Sequence, residues 1–384
     1  IINSWRDFGH WFKFWADRAV TFDGTSQNTP QAHWIGKTLL TDNEDLAIGI
    51  LRMLDCSGGT MPGGTKAFVS INEKTNDGTK TILILNEIIV KDKEEAKEYL
   101  RETFNEKEAE EIVSQTHCQP PENYFITSED MVRKSGVWAH FGSWNFDRGL
   151  IYNTLKKKAY SNDLDKSVKF LQDRFDYSKE EAEKVFYEVQ SITTSSQAND
   201  WIAPWPGYAG TSGCSRNDDE TLRCNVAGIP IPLVFNLTTN EAYADSSTGR
   251  LHPKLVSFPT NKGIILKAYN ESTITMQNGR HIGIALIKNG ESYQALAMDS
   301  DLTASMFTRM FYQEGIGLKY FKKFSDERSV FGGHIIVWKV DWEGKEKNII
   351  ETPKLEIEEE EESIKTEINE TETNNANTSE QNIS

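Results

Sequence analysis

Positive charge is what this sequence has too little of. Lys and Arg number 42 against 58 Asp and Glu, for a net charge of −16 at neutral pH. That balance argues against nucleic-acid binding, which neutralises phosphates with a basic face. Much of the excess is local. From Glu351 to the end there are eleven acids and two lysines, so this tail carries nine of the sixteen net negative charges. The remaining body is ordinary for its size.

Long apolar runs are missing too. No stretch reaches the ~18 apolar residues of a membrane helix. The longest candidates, TILILNEIIV and HIIVWKV, read as buried strands. The chain begins at Ile1 rather than Met, with no signal peptide ahead of its first aromatic cluster. A piece of a longer protein, or a processed one, is therefore expected.

Cysteine is sparse: Cys56, Cys118, Cys214 and Cys224. No C-x-x-C pairing occurs, which disfavours a zinc site built from Cys56, Cys118 and His117. Cys214 and Cys224 bracket CSRNDDETLRC, a polar loop of hairpin size. In an oxidising compartment they would close a disulfide, and Cys56 with Cys118 a second. In a reducing one, all four would be free thiols. The seven His are scattered, without H-E-x-x-H spacing. Gly63, Gly64, Thr65 and Lys66 come in the wrong order for a phosphate loop, and no G-x-S-x-G elbow exists. His10 and His33 read as structural histidines.

What is present is a folded body. Hydrophobic residues make up 38% and aromatics 11% of 384 residues, room for two or three domains. DNEDLAIGILRMLD has apolar residues at helical spacing and an acid-rich start, and predicts a helix. AFVSIN and TILILNEIIV read as two strands joined by a turn at Asn76-Asp77-Gly78. Residues 92–116 and 165–190 each predict an acidic helical hairpin, broken near Asn105 and Asp176. From about Trp201 the texture changes to alternating apolar runs separated by turn signals such as Asn278-Gly279 and Asn289-Gly290. A helix over LTASMFTRMFYQEGIGLKYF and a last strand, HIIVWKVDW, follow.

The expected fold class is mixed α/β (α+β). A mainly helical core domain spans 1–200. An antiparallel β-rich region with a late helix spans 201–346. Residues 347–384 form an acidic tail too polar to fold alone, expected to be disordered.

One short stretch, SWRDFGHW (Ser4 to Trp11), sets an acid among aromatic rings. It resembles the WWDYG signature of oligosaccharyltransferase catalytic subunits, the membrane enzymes of asparagine-linked glycosylation. Trp5, Asp7 and Gly9 match, Phe8 replaces Tyr, and Arg6 replaces the second Trp. The resemblance continues through ADRAVTFDG, QAHWIGKTLL, LAIGILRMLDC, CQPPENYFITSEDMVRKSGVWAHFGSWNF and SMFTRMFYQEGIGLKYFKKF. These look like the soluble C-terminal region of the archaeal enzymes. The similarity covers most of residues 1–345 but not the tail.

The resemblance implies transfer of an oligosaccharide from a lipid-phosphate carrier to the Asn amide of Asn-x-Ser/Thr. It implies an integral membrane protein whose C-terminal domain lies on the extracytoplasmic side and binds the Ser/Thr hydroxyl. Trp5, Arg6, Asp7, Phe8 and Gly9 would form that acceptor-binding motif. A hydroxyl is one donor and two acceptors, so Asp7 can take its proton while the Trp5 indole N–H donates to its oxygen. Arg6 can replace the lost indole donor, or pair with Asp7 instead.

The family's second pattern is Asp, two residues, Lys, three residues, then Met or Ile. Counting from Asp130 places Arg133 and Val137 there, with Lys134 one position later. Val137 suits contact with a Thr methyl, whereas Asp130 with Lys134 is also an ordinary i, i+4 ion pair. Trp11, Phe12, Phe14 and Trp15 read as core or membrane-facing residues rather than ligand contacts.

The family's metal, Mn2+ or Mg2+, and its lipid-linked oligosaccharide belong to a membrane domain absent here. The fragment alone is expected to bind no metal and to transfer no sugar. The chain's own Asn-x-Ser/Thr tripeptides begin at Asn236, Asn270, Asn369, Asn377 and Asn382. The three in the tail are expected to carry glycans. Two other readings stand beside the enzyme: a non-enzymatic carbohydrate-binding or adhesion module, and a family member in which Arg6 has abolished acceptor binding.

Overall fold

The computed structural model describes residues 1–346 except 27–29, 58–64, 218–219, 227, 277–278 and 331–332. The tail and the Asn278 turn position therefore lie outside the described residues. The chain opens on a two-residue strand, β1 (Ile2–Asn3), passes through a 3-10 turn at Arg6–Phe8 and enters α1 (Gly9–Ala16). Six helices follow: α2 (Gln31–Leu40), α3 (Glu44–Ser57), α4 (Lys66–Thr75), α5 (Gly78–Ile88), α6 (Lys93–Arg101) and α7 (Glu106–Thr116).

Helices α4 and α5 correct the strands read over 67–90. The Asn-Asp-Gly signal closes one helix and opens the next. Asn76 stands in the left-handed region and ends α4. Asp77 caps α5 by accepting from Lys80 N–H at 3.1 Å. The β-branched run misled, because Ile82, Leu85, Ile88 and Ile89 are buried at helical spacing while Leu83 is exposed. Helices α6 and α7 match their sequence reading, each opened by a capping box (Asp92 with Glu95, Asn105 with Glu108).

Next come β2 (Tyr124–Ser128), α8 (Glu129–Arg133), α9 (Ser135–Gly142), α10 (Phe146–Leu155) and α11 (Lys158–Ser161). The second predicted hairpin is α12 (Leu164–Phe175) and α13 (Lys179–Ser191), with left-handed Asp176 between them. With α10 it encloses a small core of its own, centred on Leu155, Leu171 and Val189. The last helix of this part is α14 (Ser195–Ile202). Helices α2 and α9 cross at Gly36 and Gly142. A Cβ on Gly36 would lie 2.3 Å from the Trp138 carbonyl, so that crossing needs glycine.

The strands that follow are β3 (Tyr208–Arg216), β4 (Thr221–Cys224), β5 (Leu233–Asn236), β6 (Glu241–Ser246), β7 (Gly249–Leu251), β8 (Leu255–Thr260), β9 (Gly263–Ala268), β10 (Ile282–Asn289) and β11 (Ser292–Asp299). They form a nine-stranded sheet of order β7-β6-β5-β4-β3-β11-β10-β8-β9, antiparallel except for β8 beside β10. Asn289-Gly290 forms the β10–β11 hairpin turn. Alternation buries both faces of β10. Ala285 and Ile287 meet the helical core, while Ile284 and Leu286 meet a second core on the other side.

The predicted late helix is mostly absent. A 3-10 turn at Ser300–Leu302 and a π-helical turn at Thr308–Tyr312 stand in its place. Glu314, Gly315 and Gly317 then take positive φ, which stops any helix, and Phe321 opens β12 (Phe321–Arg328). Strand β13 (His334–Val340) matches HIIVWKV. A second sheet, of order β1-β2-β13-β12, packs on the helical core through Phe125, Phe321, Ile336 and Trp338.

The molecule is thus a helical N-terminal part followed by a large, mainly antiparallel sheet. Cys56 is bonded to Cys118, and Cys214 to Cys224 across β3 and β4. No described helix is long and apolar enough to cross a membrane.

Candidate functional site

The two motif segments are 123 positions apart between Asp7 and Asp130, and sheet topology joins them. Strands β1 and β2 pair in parallel, Ile2 with Tyr124 and Asn3 with Phe125. Each strand is followed at once by its motif, so both motifs emerge from the same end of the sheet. Ser4 Oγ donates to the Ile126 carbonyl at 3.0 Å and clamps the exit of β1. Trp5 is buried, edge-on to Phe22 at 5.2 Å and near Phe141 at 6.3 Å.

Gly9 is required by packing. A Cβ there would lie 2.5 Å from Asp23 Cβ and 2.6 Å from the Phe22 carbonyl. Asp23 is buried and anchors α1. It takes an ion pair from Lys13, stands 3.8 Å from His10, and accepts from Thr25 N–H at 2.9 Å and Oγ1 at 2.6 Å. Sequence reasoning missed this acid. The signal available was Lys13 and an aspartate flanking an aromatic helix.

Lys134 is the hinge between the motifs. Its Nζ lies 2.9 Å from Asp7 Oδ2 and 2.9 Å from Asp130 Oδ2, and 5.9 Å from the centre of the Phe8 ring. Burial pulls its ammonium down, but the Asp130 and Asp7 carboxylates outweigh that and hold its pKa above the usual lysine value. Ser128 Oγ donates to Asp130 Oδ1 and orients the second acid. Lys134 sits at the break between α8 and α9, which Trp138 braces by donating Nε1–H to the Met131 carbonyl at 2.9 Å.

Arg133, three positions after Asp130, lies on the exposed surface. Val137, one helical turn beyond Lys134, is 37% exposed. Arg6 is half-buried within the 3-10 turn, and Phe8 is 39% exposed. The site is therefore an open surface of two acids, one lysine, an aromatic ring and a small apolar side chain. Clefts of about 450 Å³, at Leu40, Lys254 and Asp301, and about 790 Å³, at Arg52 and Trp342, lie on other residues.

The helix after the motif has an unusual outer face. Trp11 is 59% exposed, and Phe14 and Trp15 are each 75% exposed. They are not core, which settles one half of their sequence reading. His33 is structural, donating from Nδ1 to the Phe141 carbonyl at 2.9 Å, with its pKa lowered to about 4 chiefly by burial. Among the described residues, no group of three or more His, Cys, Asp or Glu could hold a metal ion.

No family model matches the chain. The dolichyl-phosphooligosaccharide-protein glycotransferase of Methanocaldococcus jannaschii is 41% identical over 149 residues, 38% of this chain and 16% of that protein. The Methanococcus voltae protein of the same description is 38% identical over 154 residues, again 38% of this chain and 16% of the relative. The chain thus spans about a sixth of the length of these relatives. Among solved structures, the C-terminal domain of C. jejuni pglb aligns over 88% of this chain and 93% of its own, with a TM-score of 0.35 and 10% identity. Over the matched stretch, this chain is homologous to archaeal dolichyl-phosphooligosaccharide-protein glycotransferases.

Proposed function

We propose that this chain is the acceptor-recognition part of an oligosaccharyltransferase, on the extracytoplasmic side of the membrane. It binds polypeptides carrying Asn-x-Ser/Thr. The observation that carries the reading is the Asp7–Lys134–Asp130 bridge, which ties two distant motifs into one surface. Asp7 keeps one carboxylate oxygen for Lys134 and offers the other to the Ser/Thr proton. Arg6 is the donor to the hydroxyl oxygen, Trp5 being buried in the core, and Val137 faces a Thr methyl. Lys134 holds Asp7 in place through their ion pair. An acceptor without the hydroxyl leaves these groups unpaired, at about 1–3 kcal/mol per group.

The lipid-linked oligosaccharide and a divalent cation, Mn2+ or Mg2+, would be held by other parts of a longer protein. The chain alone is therefore inactive in transfer. The exposed Trp11, Phe14 and Trp15 beside the motif are the residue types of a membrane-interface belt and support that placement. The same aromatic face favours a second reading, a carbohydrate-binding module stacking sugars on Trp rings.

The test uses the chain joined to its membrane domain, with an Asn-x-Thr peptide as acceptor. Lys134→Met and Asp7→Asn should each raise KM for the peptide about tenfold or more, with melting temperature preserved. Arg6→Trp should leave transfer within a few-fold if Arg supplies the missing donor. Unchanged KM in Lys134→Met and Asp7→Asn, with sugar binding lost in Trp15→Ala, would favour the module.

A further inference from the structure

Two of the five Asn-x-Ser/Thr tripeptides lie among the described residues, and the fold treats them differently. Asn236 ends β5. Its Oδ1 accepts from the N–H of Thr238 at 2.9 Å and of Thr239 at 2.8 Å, so the carboxamide caps its own turn. Leu237, inside the tripeptide, packs on the second core and donates its N–H to the Glu220 carbonyl at 2.8 Å. For this amide to enter another enzyme's site, the turn must open and Leu237 must leave the core.

Asn270 stands just beyond β9, and Asn270, Glu271 and Ser272 are all exposed. Its Oδ1 accepts from Lys254 Nζ at 3.2 Å in an exposed contact. The backbone is pinned on either side, by Tyr269 N–H to the Lys254 carbonyl at 3.0 Å and His252 N–H to the Ser272 carbonyl at 2.8 Å. The tripeptide is thus presented on the surface outside the strands and the core, with the Ser272 carbonyl held in the isolated His252–Thr273 bridge.

We propose that Asn270 is a glycan attachment site on the folded protein and that Asn236 is not. The proposal rests on the extracytoplasmic reading above, which the two bonded cysteine pairs favour. The co-reactant is a lipid-phosphate-linked oligosaccharide. The Asn270 amide nitrogen bonds to the anomeric carbon. The bond from that carbon to the phosphate oxygen breaks, its electron pair stays on the phosphate, and the amide proton is lost to a base of the transferring enzyme. Exposure of both the amide and the Ser272 hydroxyl is what the step demands of this chain.

The experiment expresses the full chain, directed outward, in a host whose own enzyme modifies a reporter Asn-Ala-Thr fused after Ser384. After reduction, trypsin separates the two sites. Ala268–Arg280 contains Asn270, and Cys224–Arg250 contains Asn236. Mass spectrometry should find hexose-containing additions on the first peptide and none on the second, and Ser272→Ala should abolish the addition. An unmodified Asn270 peptide beside a modified reporter would overturn the proposal. So would modification of both peptides, since the fold would then not be selecting the site. The host's enzyme performs the transfer, so the outcome is independent of whether Asp7 and Lys134 bind an acceptor.

Discussion

Asp55, near the end of α3, is a half-buried acid with an amide for company. Asn123 Nδ2 donates to its Oδ2 at 2.5 Å. Burial pushes its carboxyl up to about 6, against the pull of that amide. Between about pH 4 and 6 the folded chain therefore holds a proton that the unfolded chain has lost, and this residue's contribution to stability falls as pH rises. His33 and His117 act in the opposite sense. Burial lowers both to about 4. Their neutral burial is fully stabilising above about pH 6.5 and is lost as pH falls toward 4. Two histidines outweigh one aspartate, so stability should rise from pH 4 to 6.5. Asp55→Asn should match the parent at pH 4 and exceed it by roughly 3 kcal/mol above pH 7, which is about two units at ~1.36 kcal/mol each. Thermal melts across that range check both the sign and the steeper slope.

At the scale of elements, α1 divides into an anchored face and a bare one. Gly9 sits tight on Phe22 and Asp23, while Trp11, Phe14 and Trp15 face solvent. Trp15→Ser should change stability by less than about 0.5 kcal/mol, whereas Trp5→Ala should cost about 3–5 kcal/mol through the cavity it leaves. Denaturant titration separates the two. This contrast was half legible. Both are Trp in an aromatic run, and only the β1–β2 pairing tells which one enters the core. Helices α6, α7 and α13 were readable because an N-cap and its i+3 acid are written in the sequence. Helices α4 and α5 were not, because a β-branched run imitates a strand until burial fixes its period. Strand β12 was hidden by Lys322 and Lys323, which are buried; Lys323 pairs with Glu314 at 3.1 Å and Asp326 at 3.3 Å. The acids Asp7 and Asp130 were legible as motif residues. That Lys134 rather than Arg133 reaches both acids was not, since it depends on a helix break that spacing does not reveal.

Over the whole molecule, the two disulfides guard unequal loops. Cys56–Cys118 closes 62 positions and Cys214–Cys224 closes 10. Loop-closure entropy gives about 4 kcal/mol for the first and about 3 kcal/mol for the second. Replacing the first pair by Ser should lower the melting temperature more than replacing the second, and reductant should lower it for the parent chain. Calorimetry on both double variants with and without dithiothreitol checks the order.

Strand β1 is two residues long, tied by Ile1 N to the Glu122 carbonyl at 2.7 Å and by Tyr124 N–H to the Ile1 carbonyl at 2.9 Å. That short ladder is a mechanical fuse. Load applied at Ile1 runs along β1 straight into Ser4 and the Asp7–Lys134 bridge. A few hydrogen bonds in shear stand between a pull on that end of the chain and the geometry of the surface it serves.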